Sequence, residues 1–165
     1  QYTGPAICFS AADDAIAALQ RQDIRPGHVV VMRGAGVTGG PGMGGGSSKV
    51  VFAIDGAGLG SDVALITDGH LSGLVCKGLV VAEVSPEGAV CGPLALVQDG
   101  DMICIDLDTQ RCDLLVDEDF YRHEHKLIYA AVGALINASK PADVITVFEH
   151  LQSQGKADDV GGLAC

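Results

Sequence analysis

Ala64-Leu65-Ile66-Thr67-Asp68-Gly69-His70-Leu71-Ser72-Gly73 carries an apolar run straight into a polar, glycine-flanked loop. Residues 62–67 (DVALIT) read as a buried strand, ended by the turn-prone Asp68-Gly69. Asp68, His70 and Ser72 then fall within five residues, just past a strand end, where α/β sites often lie. A Ser/His/Asp triad is a poor reading of them, because side chains so close in sequence rarely reach the geometry of a proton relay. The plain alternative is a turn in which Asp68 bonds local N–H groups.

Outward from this stretch the chain is rich in short apolar runs. Residues 28–33 (HVVVMR) and 79–84 (LVVAEV) read as strands, the second closed by Ser85-Pro86-Glu87-Gly88. Residues 94–98, 102–107 and 112–116 continue the series at spacings that suit hairpins or a meander. Residues 49–54 (KVVFAI) fit a strand or a helix. Residues 12–20 read as a short helix, with Asp13 and Asp14 at its positive end. Beyond Phe120 the apolar spacing turns helical through Asn137. Lys140-Pro141 breaks it, a second helix is expected over 142–152, and residues 155–165 are expected to fray.

Gly34 to Gly46 is the most unusual segment, in a chain with 23 glycines. Such a loop brings backbone N–H groups close to a ligand and can cradle an anion. The order Ser47-Ser48-Lys49 is not that of a P-loop. The frame Gly34, Gly36, Gly39 runs into Gly40-Pro41, which does not open a helix as a dinucleotide fingerprint must. A surface loop without a ligand and an anion-facing loop both remain open readings.

The 165 residues make one domain by size, and 48% hydrophobic residues suffice for a core. A net charge of −11 argues against non-specific binding to nucleic acid or an anionic membrane surface. No run approaches the roughly 18 apolar residues of a membrane span. Tryptophan is absent and aromatics are 4%, which weakens a base-stacking role. The six cysteines form no C-x-x-C pair and suit buried or free thiols in a reducing cytoplasm. No signal-peptide pattern is visible, and an N-terminal Gln1 suits a processed product or a piece of a longer chain.

Taken in order, several segments resemble the C-terminal domain of the dihydroxy-acid dehydratase/6-phosphogluconate dehydratase family. They are Gly4-Pro5-Ala6, Asp13-Asp14-Ala15-Ile16, Gly27-His28-Val29-Val30-Val31, Gly39-Gly40-Pro41-Gly42-Met43 and the opening stretch 64–73. Val84-Ser85-Pro86-Glu87, Gly92-Pro93-Leu94-Ala95-Leu96-Val97 and Asp99-Gly100-Asp101 continue the match, which covers residues 4 to about 118. The resemblance implies a strand-rich α/β fold: a barrel-like β domain of the swivelling β/β/α type with flanking helices over 1–118, and a helical tail over 119–165 packed on it.

The resemblance also implies a lyase that dehydrates a 2,3-dihydroxy acid or sugar acid to a 2-keto acid. In such enzymes an iron–sulfur cluster acts on the leaving hydroxyl, Mg²⁺ holds the carboxylate and 2-hydroxyl, and a serine abstracts the proton at carbon 2. Ser72 matches that serine. Gly42, Met43, Ser47, Ser48, Asp68 and His70 are the candidate substrate- or anion-binding residues. Three positions depart from the pattern: Gly45 stands where the family has a Glu ligand of Mg²⁺, His70 where it has Arg, and Glu83 where it has His.

The cluster ligands and remaining Mg²⁺ ligands belong to the family's N-terminal domain. The chain alone is therefore not expected to be a competent enzyme, and neither cofactor is clearly held by it. The implied partners are a cluster-bearing N-terminal domain or subunit and a small hydroxy acid in the cytoplasm, with no nucleic acid or membrane. A second copy of the chain is left open. The alternative reading is a degenerate, non-catalytic binding or regulatory relative, which Gly45 and Glu83 favour.

Overall fold

A computed structural model of the chain describes residues 1–42, 45–115, 127–128, 131–132, 134–135, 138, 140–141, 143–157 and 159. The chain divides into two compact units, 1–115 and 116–165.

The first unit is a mixed α/β body on a six-stranded, curled half-barrel sheet of order β4-β3-β2-β1-β5-β6. Strands β1 (Tyr2–Phe9), β2 (Val29–Met32), β3 (Ala64–Thr67) and β4 (Leu79–Val81) are parallel. Strands β5 (Met102–Asp106) and β6 (Arg111–Leu115) form an antiparallel hairpin, β5 pairing back on β1.

Strand β2 is apolar throughout, and β3 is apolar up to Thr67, because both of their faces are covered. Alternation along each strand sorts the side chains. Val30, Met32 and Leu65 face one side, where helices α1 (Ala12–Gln20) and α2 (Gly45–Gly56) bring Ala15, Ala18, Val50, Val51 and Ile54. Val29, Val31, Ala64 and Ile66 face the other side and meet Leu94, Val97, Ile103 and Ile105. All four β2 residues are buried. Burying each such side chain is worth about 1.5–3 kcal/mol.

Three sequence expectations change. The ambiguous 49–54 stretch is helix: Val50, Val51 and Ile54 are buried while Phe52 is exposed, whereas a strand would put Val50, Phe52 and Ile54 on one face. Residues expected as a strand at 94–98 instead begin as a short helix, α3 (Pro93–Leu96). Pro93 suits a first helical turn, and the buried pair Leu94 and Val97 is spaced by three, not two. The sheet is also no meander, since only β5 and β6 form a sequential hairpin. The sequence reading assigns no element to residues 2–9, which form strand β1 with Gly4-Pro5 inside it, a pair uncommon in strands. Here a Cβ on Gly4 would run into the Gly27 carbonyl oxygen, so glycine permits that close approach.

In β1, Cys8 is half-buried beside Asp99, whose carboxylate accepts the Cys8 N–H at 2.7 Å. Burial, with Asp99 adding to it, pushes the Cys8 thiol up to about 11. Its thiolate is therefore scarce at pH 8. Iodoacetamide at pH 8 is expected to alkylate exposed Cys76 at least about ten-fold faster than Cys8, the gap narrowing toward pH 11. Site-resolved mass spectrometry of the alkylated chain checks this.

In the second unit, Leu127, Ala131 and Leu135 recur at helical spacing and cluster with Val147 and Leu151 of α4 (Val144–Ser153). A capping box closes the start of α4: Asp143 accepts the Thr146 N–H at 2.9 Å, and Thr146 Oγ1 accepts the Asp143 N–H at 3.1 Å. These match the helical expectations for 120–137 and 142–152 where residues are described. Residues 116–126 and 160–165 lie outside the described residues.

Candidate active site

Parallel strands end on the same side of a sheet, so the segments after β2, β3 and β4 converge there. They carry residues 33–42, 68–78 and 82–92. A cleft of about 210 Å³ opens between them, lined by Gly36, Val37, Gly42, Asp68, His70, Glu83, Val84, Ser85 and Glu87.

Asp68 organises the floor. It is 5% exposed, and its carboxylate accepts three backbone N–H groups at 2.9 Å: Gly34 and Gly88 on Oδ2, Ala35 on Oδ1. The glycine segment is thus tied by its first residues to the end of β3 and to the turn after Glu87. Glu87 ties it again, Oε2 accepting the N–H groups of Thr38 at 2.9 Å and Gly39 at 3.2 Å. A Cβ on Gly36 would collide with the Glu87 carboxyl, so glycine lets that carboxylate lie against the loop. Loop N–H groups do face anions, and those anions are the chain's own carboxylates.

Ser47 and Ser48 stand in the first turn of α2, both buried. Ser47 shares a 2.9 Å hydrogen bond with Thr67 Oγ1, which also accepts the Gly69 N–H. Ser48 Oγ accepts the Ser72 N–H at 2.9 Å. The two hydroxyls therefore fasten α2 to the 67–72 loop and place the Ser72 backbone. Ser72 is half-buried, and its Oγ accepts the Leu74 N–H at 3.3 Å, a local turn bond.

Two of the three departures from the family pattern meet in this cleft. His70 Nδ1 lies 2.6 Å from Glu83 Oε1, with both side chains 61% exposed. The third, Gly45, opens α2, and a Cβ there would meet nothing within 4 Å. The first turn of α2 carries no acid. Gly45→Glu is therefore expected to stabilise the chain by about 0.5–1 kcal/mol, by removing a helix glycine and placing a negative charge at the positive helix end. Urea unfolding of the two chains measures it.

Gly42 lines the cleft with a positive φ of 64°, which favours glycine there. Met43 falls outside the described residues. Sequence reasoning missed Thr67, Glu87 and Gly88. Glu87 sits in a recognised turn motif, but nothing local shows that its partners are 48 and 49 residues away.

Among the described residues, no three His, Cys, Asp or Glu side chains come together to hold a metal ion. Gly45 brings no donor. The described residues of the cleft do not gather a ligand set that fits an iron–sulfur cluster or a Mg²⁺ ion. No helix of the described residues is long and apolar enough to cross a membrane.

The family model described as dihydroxy-acid/6-phosphogluconate dehydratase C-terminal matches residues 1–156. The match runs past the 4–118 expected from the motifs and takes in α4. With nearly the whole chain covered, this protein belongs to the dihydroxy-acid/6-phosphogluconate dehydratase C-terminal family.

Proposed function

We propose that the chain supplies the Ser72-bearing half of a hydro-lyase site that converts a 2,3-dihydroxy acid or sugar acid to a 2-keto acid. The other half, with the iron–sulfur cluster and Mg²⁺, comes from a cytoplasmic N-terminal domain or subunit. The observation that carries this reading is the placement of Ser72: its N–H is fixed by buried Ser48, on a loop beside the cleft at the sheet's C-terminal edge. Family membership supports the reaction class. That the matched family model is of a C-terminal domain supports an N-terminal partner as the source of the rest of the site.

In this reading Ser72 takes the proton from carbon 2. Asp68 and Glu87 hold the loops in place and do not themselves react, because backbone N–H groups already bond their carboxylates. The test is co-expression with a cluster-bearing N-terminal domain of this family, followed by an anaerobic assay for 2-keto acid over a panel of dihydroxy and sugar acids. Product is expected only when both chains are present. Product from this chain alone, or none from the pair, would overturn the proposal.

Gly45 and the His70–Glu83 pair favour a second reading, a binding or regulatory relative that has lost turnover. It predicts ligand binding by the pair of chains without product.

A further inference from the structure

A second hollow, of about 350 Å³, opens on the segments 33–42 and 82–92 that also wall the cleft. Arg33 and Ser10 line it, and the rest of its wall is glycine and alanine. Arg33 directly follows β2 and is half-buried. Its Nη1 donates to the Val97 carbonyl at 2.9 Å and leans on that of Leu94 at 3.5 Å, which holds the guanidinium at the end of α3. A cation at a helix C-terminus accounts for Nη1. Nε and Nη2 have no hydrogen-bond partner among the described residues.

No described carboxylate forms an ion pair with Arg33, in a chain with 21 acidic and 10 basic residues. A half-buried cation left without a counter-charge is costly, and acids are plentiful here. Asp99, which lies near Cys8 as Arg33 does, is spent on the Cys8 N–H at 2.7 Å.

The walls narrow the ligand. The N–H groups of Gly34, Gly39 and Gly88 already serve Asp68 and Glu87. The side-chain donors left are the guanidinium and the Ser10 hydroxyl. An Nε–Nη2 edge matches the two oxygens of a carboxylate. One cation in so acidic a chain balances a monoanion and not a dianion. Walls of glycine and alanine give no aromatic or long apolar surface, so the body of the ligand is small.

We infer that Arg33, held by the α3 carbonyls, binds a small monocarboxylate through Nε and Nη2, with Ser10 as a second donor. No step of the dehydratase reading uses Arg33, so the two stand or fall separately.

The test is ¹⁵N NMR on the full 165-residue chain, titrated with sodium acetate at constant ionic strength against sodium chloride. The Arg33 Nε–H resonance, assigned by its loss in Arg33→Lys, is expected to move saturably with acetate and not with chloride. The Gly34 and Gly88 amides should move with it, since both line the hollow. Arg33→Lys keeps the charge but loses the fork, and is expected to weaken acetate binding about ten-fold, read from the glycine amides. If that variant misfolds, Ala95→Leu carries the same expectation: Ala95 is exposed on α3, and leucine there fills the hollow while Arg33 stays. An Nε–H signal unmoved by acetate, as a purely helix-capping arginine predicts, overturns the inference. So does an equal response to chloride, tighter binding of inorganic phosphate than of acetate, or acetate binding indifferent to both variants.

Discussion

Asp68→Ala is expected to destabilise the first unit by about 2–4 kcal/mol, the largest effect of any polar substitution in the cleft. The carboxylate is 5% exposed and serves three backbone donors from two separate segments. Alanine leaves the N–H groups of Gly34, Ala35 and Gly88 without their acceptor, and each orphaned donor that water cannot reach costs about 1–3 kcal/mol. Water reaching the half-buried loop recovers part of that, which sets the lower end of the range. Asp68→Asn keeps one oxygen but turns an NH₂ group toward a donor, so about half the loss is expected. Urea unfolding gives both values. Amide exchange should show the deficit concentrated at Gly34, Ala35 and Gly88. A loss under about 0.5 kcal/mol for the alanine variant would mean that Asp68 does not hold the loops.

Ser72→Ala acts on a different quantity. In the two-chain assembly it is expected to lower turnover about a thousand-fold, the scale of losing a positioned proton-transfer group. Stability should change by no more than about 0.5 kcal/mol, because among the described residues the side chain loses only the 3.3 Å turn contact with Leu74. Ser48→Ala is the matching control. It removes the acceptor for the Ser72 N–H and should lower turnover through misplacement while Ser72 remains. Anaerobic product assays beside thermal unfolding separate the two effects.

Much of the fold is legible along the chain because buried parallel strands are unbroken apolar runs. Val29–Met32 and Ala64–Thr67 announce themselves this way. Residues whose identity depends on distant contacts do not. Residues 2–9 carry no strand pattern in the sequence, and the place of Gly4 in β1 follows only from Gly27 lying against it. Residues 94–98 read as a strand until Leu94 and Val97, three apart, are found buried together beside the sheet. The 49–54 stretch becomes a helix once Phe52 is found outside and Val51 inside.

The site divides along the same line. Ser72, Asp68 and His70 stand out as polar groups after a strand, and the cleft does gather Asp68 and His70 on its walls. The partners that define their work come from far along the chain: Gly88 for Asp68, Glu83 for His70 and Ser48 for Ser72. Ser47 and Ser48 look in sequence like an anion-binding pair at a glycine loop. Packing buries them and engages both hydroxyls within the chain. The glycine segment suggests an anion cradle, and only the fold shows Asp68 and Glu87 lying in it.

The central claim is that this chain completes a dehydratase site it cannot form alone, with Ser72 as its reacting group. The direct measurement titrates the chain into a fixed amount of cluster-bearing N-terminal domain and follows 2-keto acid formation anaerobically. Turnover should rise from background and saturate at one chain per cluster, and the Ser72→Ala chain should compete for the same partner while supporting no comparable rate. Turnover independent of added chain, or an equal rate with the Ser72→Ala chain, would contradict the account.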